Sequence, residues 1–84
     1  MADPVHIIIP AWNQAAFSRQ CIQTLRDHTP PDTYRLILVD NGSTDDTAAL
    51  FDSVPGAVVI HLPENRGFAA AVNEGIRRVP SGHV

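Results

Sequence analysis

The chain has 84 residues, 44% of them hydrophobic and 18% charged, with six basic against nine acidic side chains for a net charge of −3. That length allows one domain at most, burying about 60% of the surface its unfolded form exposes, and the hydrophobic content separates it from disordered sequences. The acidic balance leaves no basic footprint for nucleic acid or anionic lipid, the single Cys21 excludes an internal disulfide, and four scattered histidines lack the paired spacing of a zinc site.

The N-terminal Met1-Ala2-Asp3-Pro4 has no basic region, and no apolar run approaches the ~20 residues of a spanning helix. A cytosolic chain without signal peptide or membrane span is expected. Val5–Pro10 is a β-branched run closed by a proline, which cannot donate to a sheet ladder, so it predicts a first strand ending there. Residues Gln14–His28 carry Phe17, Cys21, Ile22 and Leu25 at helical spacing, which predicts a helix with Cys21 as a small core residue. Thr29-Pro30-Pro31-Asp32 stops it.

Tyr34–Val39 (YRLILV) is the near-continuous apolar run of a strand covered on both faces in a parallel sheet. A second helix is predicted over Asp45–Val54, with Ser43 or Thr44 as N-cap. Pro55-Gly56 turns the chain into a third strand, Ala57–Leu62, and a third helix follows over Phe68–Val79, where Ala69-Ala70-Ala71 offers a thin face to the sheet. Strands alternating with helices, joined by connections too long for hairpins, imply right-handed crossovers and an α/β fold of three βα units around a three-stranded parallel sheet. Ligands of such sheets sit beyond the carboxyl ends of the strands, so the informative loops are Pro10–Asn13, Asp40–Thr44 and Pro63–Gly67.

Neither Gly-x-Gly-x-x-Gly nor a Walker lysine signature occurs. Asp40, at the end of an apolar strand, either caps the following turn or faces a ligand; as an acceptor-only carboxylate it matches the ring N–H of uracil, thymine or guanine. Ser43-Thr44-Asp45-Asp46 reads as helix-start chemistry. Trp12 could line a pocket or cover the core edge, and Asn13 reads as an N-cap first and a ligand second. Arg66 stands before a helix N-terminus, an unfavourable place for a cation unless an anion or Glu64 balances it. Asn73 interrupts the apolar side of the third helix and either meets water or points to the pocket, while His6 and His61 read as structural.

The stretches VHIIIPAWNQ, LILVDNGSTDDT and VVIHLPENRGFAAAVNEGIRRVPSG, in that order, resemble the start of a family 2 glycosyltransferase of the GT-A fold, and the resemblance covers essentially the whole chain. It implies a Rossmann-like, nucleotide-sugar-binding half-fold over residues 1–84, with Pro10, Ala11, Asn13, Asp40, Asn41, Arg66, Gly67 and Asn73 around the donor nucleotide. Gln14 falls where many members carry an acid. ENRGFAAAVNEGI is similar to the branch acting on cell-wall and surface polysaccharides, including rhamnosyl- and galactofuranosyltransferase-like members, which implies a dTDP- or UDP-sugar.

The family's metal-binding Asp-x-Asp, which holds Mg or Mn, would come after Ser81-Gly82-His83-Val84, and none occurs in this chain. The chain is therefore expected to hold no catalytic or metal residue, to bind the donor without transferring it, and to belong to a transferase acting at the cytosolic face of a membrane. A different reading is a non-catalytic module that self-associates, as a homo-oligomer, through an open edge at strand one or the adjacent helices. A small acidic signalling domain using Asp45 and Asp46 for a metal would lack its strand-end acid cluster and later lysine.

Overall fold

The computed structural model describes residues 4–79, and the stretch leading to the expected metal motif lies outside them. Strands β1 (Val5–Ala11), β2 (Tyr34–Asn41) and β3 (Val58–Leu62) alternate with helices α1 (Ala15–His28), α2 (Thr47–Asp52) and α3 (Phe68–Ile76), with a 3-10 turn at Pro31–Thr33. All pairings are parallel, in the order β1-β2-β3, so the α/β class and its three βα units are as the alternation predicts.

Register decides which face each side chain takes. Leu36 and Leu38 of β2 pack with Ile22 of α1 and Phe51 of α2, joined by Ile7, Ile9 and Val59. The alternate positions Ile37 and Val39 pack with Ile60 and Ala71 of α3, joined by Ile8 and Leu62. A strand covered on both faces needs such a continuous apolar run, and Leu38 and Val39 are both fully buried.

Several element bounds differ from the expected ones. Pro10 lies inside β1, paired with Val39; among the described residues β1 is at the sheet edge, where a missing N–H is tolerated. β2 runs on through Asp40 and Asn41, which pair with His61 and Leu62. α2 starts later, at Thr47, and α3 ends earlier, at Ile76.

Two packing expectations are corrected. Cys21 is exposed, as is Phe17, because the buried stripe of α1 runs through Ser18 and Ile22 with Leu25 half-buried below them. Of the three consecutive alanines only Ala71 is fully buried. The close approach is made instead by Ala71 with Gly75 one turn on, where an added Cβ would lie 2.5 Å from Ile8 Cγ2.

Candidate functional site

The β1–α1 and β2–α2 loops cap each other. Asn13 and Gln14 are both left-handed, at φ 60° and 64°, a conformation that L-residues hold only when their surroundings fix it. The fixing bonds are reciprocal: Asn13 N donates to Ser43 Oγ (2.8 Å), while Asn13 Oδ1 accepts from Thr44 N (2.8 Å) and Asp45 N (3.3 Å). Asn13 is thus not the N-cap of its own helix. Gln14 stands at that position without a side-chain cap, and Asp45 Oδ2 accepts from Ala15 N (3.1 Å) in its place.

The Asp45 Oδ1 atom meanwhile accepts from Thr47 N (2.9 Å) and the Thr47 hydroxyl, so one carboxylate serves the first residue of both α1 and α2. These bonds, the Thr47 hydroxyl foremost, hold the Asp45 carboxyl below its ordinary pKa. Helix-start chemistry at Asp45 is what its position predicts; the expected caps Ser43 and Thr44 belong to the interloop bonds instead.

Asp40 and Asn41 are adjacent and both 4% exposed, and they point to opposite faces of the sheet. Asp40 shares the α1/α2 face with its register partner His61. Its Oδ1 accepts from Ser43 N (2.9 Å) and its Oδ2 meets His61 Nδ1 at 3.1 Å, while His61 Nε2 meets Asp52 Oδ1 at 2.8 Å. The hydrogen bond to Asp52, then that to Asp40, raises the His61 pKa against a partial desolvation. Asp40 therefore does cap a turn, with a histidine as second partner.

On the α3 face, Asn41 Nδ2 donates to Asn65 Oδ1 (3.1 Å) and the Gly67 carbonyl (3.2 Å), and its Oδ1 accepts from Arg66 N (3.0 Å). Gly67, at φ 88°, and Gly42, at φ 75°, take backbone conformations that side chains disfavour. A Cβ on Gly42 would also come within 2.4 Å of the Glu64 carbonyl carbon, so only glycine lets the β2–α2 and β3–α3 loops meet. Arg66 has an exposed side chain and, among the described residues, no ion pair with Glu64.

These loops enclose a cleft of ≈280 Å³ at the carboxyl ends of the strands, lined by Pro10, Ala11, Trp12, Asn41, Asn65, Gly67 and Phe68. Trp12 and Phe68 stand at its mouth, 52% and 67% exposed. Four of the expected site residues, Pro10, Ala11, Asn41 and Gly67, are brought together there. Asn13 lines an adjoining groove beside Phe17 and Cys21, and Arg66 follows the lining residue Asn65. Asp40 lies behind the cleft on the other sheet face, and Asn73 is exposed well into α3, in none of these clefts.

A larger cleft of ≈620 Å³ lies at the opposite end, around Arg26, Tyr34 and Pro55. Size does not decide between them: the loops of a parallel βα sheet gather at its carboxyl edge, and the left-handed residues and converging amides are there. Among the described residues no group of three His, Cys, Asp or Glu side chains could hold a metal ion, so the donor set here does not fit one.

The sequence profile of the family described as Glycosyl transferase family 2 matches residues 6–82, nearly the whole chain and all three loops. The chain belongs to glycosyl transferase family 2. It is 38% identical over 81 residues to a PGL/p-HBAD biosynthesis glycosyltransferase of Mycobacterium tuberculosis, covering 90% of this chain and 31% of that protein. It is 32% identical over 79 residues to glycosyltransferase AglE of Haloferax volcanii, covering 88% and 26%. The mannosyltransferase PcManGT of Pyrobaculum calidifontis, solved in complex with GDP-Man and Mn2+, superposes with a TM-score of 0.74 at 25% identity, over 90% of this chain and 24% of that one. The chain thus spans about a third or less of the length of these relatives, and its three-stranded sheet is the GT-A arrangement.

Sequence reasoning missed the partners of the site. His61 reads as a structural strand residue, and the signal that could have paired it with Asp40 is the parallel register: Val59 and His61 alternate onto the face that Leu38 and Asp40 share. The exchange of caps between Asn13 and Asp45 leaves no comparable trace, because it joins loops 30 or more residues apart.

Proposed function

We propose that this family 2 domain binds the nucleotide of a nucleoside diphosphate sugar in the strand-end cleft, as the donor half of a glycosyltransferase. The observation that carries the reading is the convergence of three loops on one cleft at the carboxyl ends of a parallel sheet, within the segment that matches the family. The exposed Trp12 indole offers a face for a base to stack on, and the backbone groups of Pro10, Ala11 and Gly67 line the same wall. Arg66, with its backbone fixed by Asn41 and its guanidinium free in solvent, is the cation for the diphosphate. Asp40 holds its loop from behind the cleft and Asn41 from within the lining, and any direct contact of Asp40 with a base uses lone pairs that Ser43 and His61 leave. Asn13 acts through the same interlock, and Asn73 has the weakest case for contact.

A UDP- or dTDP-sugar is the donor the segment around ENRGF favours, and the GDP-Man of the structural neighbour makes a guanine nucleotide the competitor. The acceptor class proposed is a polysaccharide, lipid or protein, in the manner of cell-wall and surface polysaccharide synthesis. Metal-assisted transfer, with Mg or with the Mn that the neighbour holds, needs ligands beyond the described residues, so this domain alone is proposed to bind without transferring. No described helix is long and apolar enough to cross a membrane, and we place the domain on the cytoplasmic side, at the membrane face where lipid-linked acceptors are met.

Trp12 is the sole tryptophan, so its fluorescence reports on the cleft directly. Titration with UDP, dTDP and GDP should quench it saturably, with one nucleotide preferred; unchanged emission at millimolar nucleotide in a folded sample refutes the reading. A second reading rests on a separate observation: among the described residues β1 pairs only with β2, leaving an open edge that begins at the 57% exposed Val5. Such an edge favours pairing with a second copy, through β1 or the adjoining helix α1 with its exposed Phe17. Light scattering should show a homodimer at high concentration, and a monomer throughout contradicts it.

A further inference from the structure

His61 sits between two carboxylates that belong to different elements. Its Nδ1 faces Asp40 Oδ2 at 3.1 Å and its Nε2 faces Asp52 Oδ1 at 2.8 Å, joining the end of β2, through β3, to the last residue of α2. A neutral imidazole has one donor nitrogen and one acceptor nitrogen, and an acceptor cannot bond to a carboxylate oxygen. Only the imidazolium satisfies both contacts at once.

We infer that His61 is a positioning residue of the donor site, which holds Asp40 at the base of the β2–α2 loop and, as imidazolium, also ties down the C-terminal end of α2 through Asp52. The inference rests on the strand-end cleft being the donor site. Between the two anchors runs the segment Ser43–Asp46, whose amides take the Asp40 and Asn13 side chains. Asp40 and Asp52 are the charged groups that act on His61 among the described residues; α3 lies on the other sheet face, with its Glu74 bound to Arg77.

Losing a proton to solvent forces a choice between the two contacts. The Asp40 side chain is 5% exposed and that of Asp52 is 62% exposed, so leaving Asp40 unpaired is the more unfavourable of the two. The remaining proton stays on Nδ1, Asp40 keeps its partner, and the Asp52 arm is released into water. The triad then carries two negative charges instead of one, which opposes an anionic sugar nucleotide bound at the same strand ends. The raised pKa of His61 moves this change above the ordinary 6.5 of a histidine.

The test follows the ring carbons of His61 and the Ser43 amide by NMR from about pH 5 to 8 in the 84-residue chain, its Asp52→Asn variant and its His61→Gln variant. The affinities for UDP-glucose and GDP-mannose, whose diester phosphates do not titrate there, are measured alongside. His61 is expected to titrate above the ordinary 6.5, with the Ser43 amide following the same midpoint. Asp52→Asn, an exposed change, should lower that midpoint, and His61→Gln should flatten the Ser43 profile. UDP-glucose should bind about twofold more weakly above the midpoint, the effect of one unit charge at roughly 10 Å through water, and without pH dependence in the His61→Gln variant.

A midpoint at or below 6.5, or a Ser43 amide indifferent to it, overturns the inference, as does UDP-glucose binding of equal strength on both sides of the midpoint. If His61→Gln does not fold, Asp52→Asn decides alone. A coupled His61–Ser43 titration with no binding of UDP-glucose or GDP-mannose at any pH leaves the clamp standing and refutes the donor-site reading.

Discussion

The two faces of the sheet solve the same problem, holding a loop at a strand end, with different chemistry. On the α1/α2 face the anchors are ionisable: Asp40 with His61 and Asp52, and Asp45 with Ala15 and Thr47. On the α3 face they are neutral amides and backbone: Asn41 with Asn65, Arg66 N and Gly67. Neighbouring residues in sequence, Asp40 and Asn41, therefore make one loop sensitive to protons and leave the other indifferent. The cleft is walled by both: Asn41, Asn65 and Gly67 line it from the indifferent side, and Pro10, Ala11 and Trp12 lead into the loop that Asp45 helps to hold.

Where the faces meet, Gly42 is the point most easily broken. Gly42→Val puts a side chain at positive φ into the Glu64 backbone and is expected to destabilise the fold by about 3 kcal/mol or more, read as a large fall in the urea midpoint. On the neutral side alone, Asn41→Ala strands the Arg66 amide and the Gly67 carbonyl and should remove about 2–4 kcal/mol, by the same amount in mild acid and mild base.

On the ionisable side the effects are smaller and vary with pH. Asn13→Ala removes the acceptor of two amides and support for two left-handed residues, at about 1–2 kcal/mol in thermal or urea unfolding. The Asp45 carboxyl has a lowered pKa, so its contribution is present above its unfolded value of 3.8 and lost as pH falls through the folded one. His61 has a raised pKa, so its contribution is complete below 6.5 and lost as pH rises through the folded value. The stability of the wild-type chain should therefore peak between those two limits, and His61→Gln should remove the alkaline slope while leaving the acid one. Smallest of all, alkylation of the exposed Cys21 should proceed in the folded state with little change in stability.

Fold class was legible because β2 is apolar at consecutive positions and the helices keep their spacing, and both signals are local. Of the expected α1 stripe, Ile22 and Leu25 face the core, whereas Phe17 and Cys21 keep the same helical period and are exposed, and only tertiary packing selects Ser18 over them. Pro10 reads as a stop because a proline weakens any strand, and only the sheet order shows that it occupies an edge among the described residues. The site was half legible. The rule that ligands meet strand ends marks the loops that hold Pro10, Ala11, Asn41 and Gly67, and the family resemblance picks out those residues within them, whereas the facing of Asp40 toward His61 depends on register, and the exchange of caps depends on two loops meeting in space.

Mapping sugar-nucleotide binding residue by residue tests the central claim most directly, through an amide-shift titration of the chain with UDP-glucose and GDP-mannose. The account predicts saturable shifts concentrated at Ala11, Trp12, Arg66 and Gly67, larger for one nucleotide than for the other. Shifts gathered around Tyr34 and Arg35 at the opposite cleft, or none with either ligand, would contradict it.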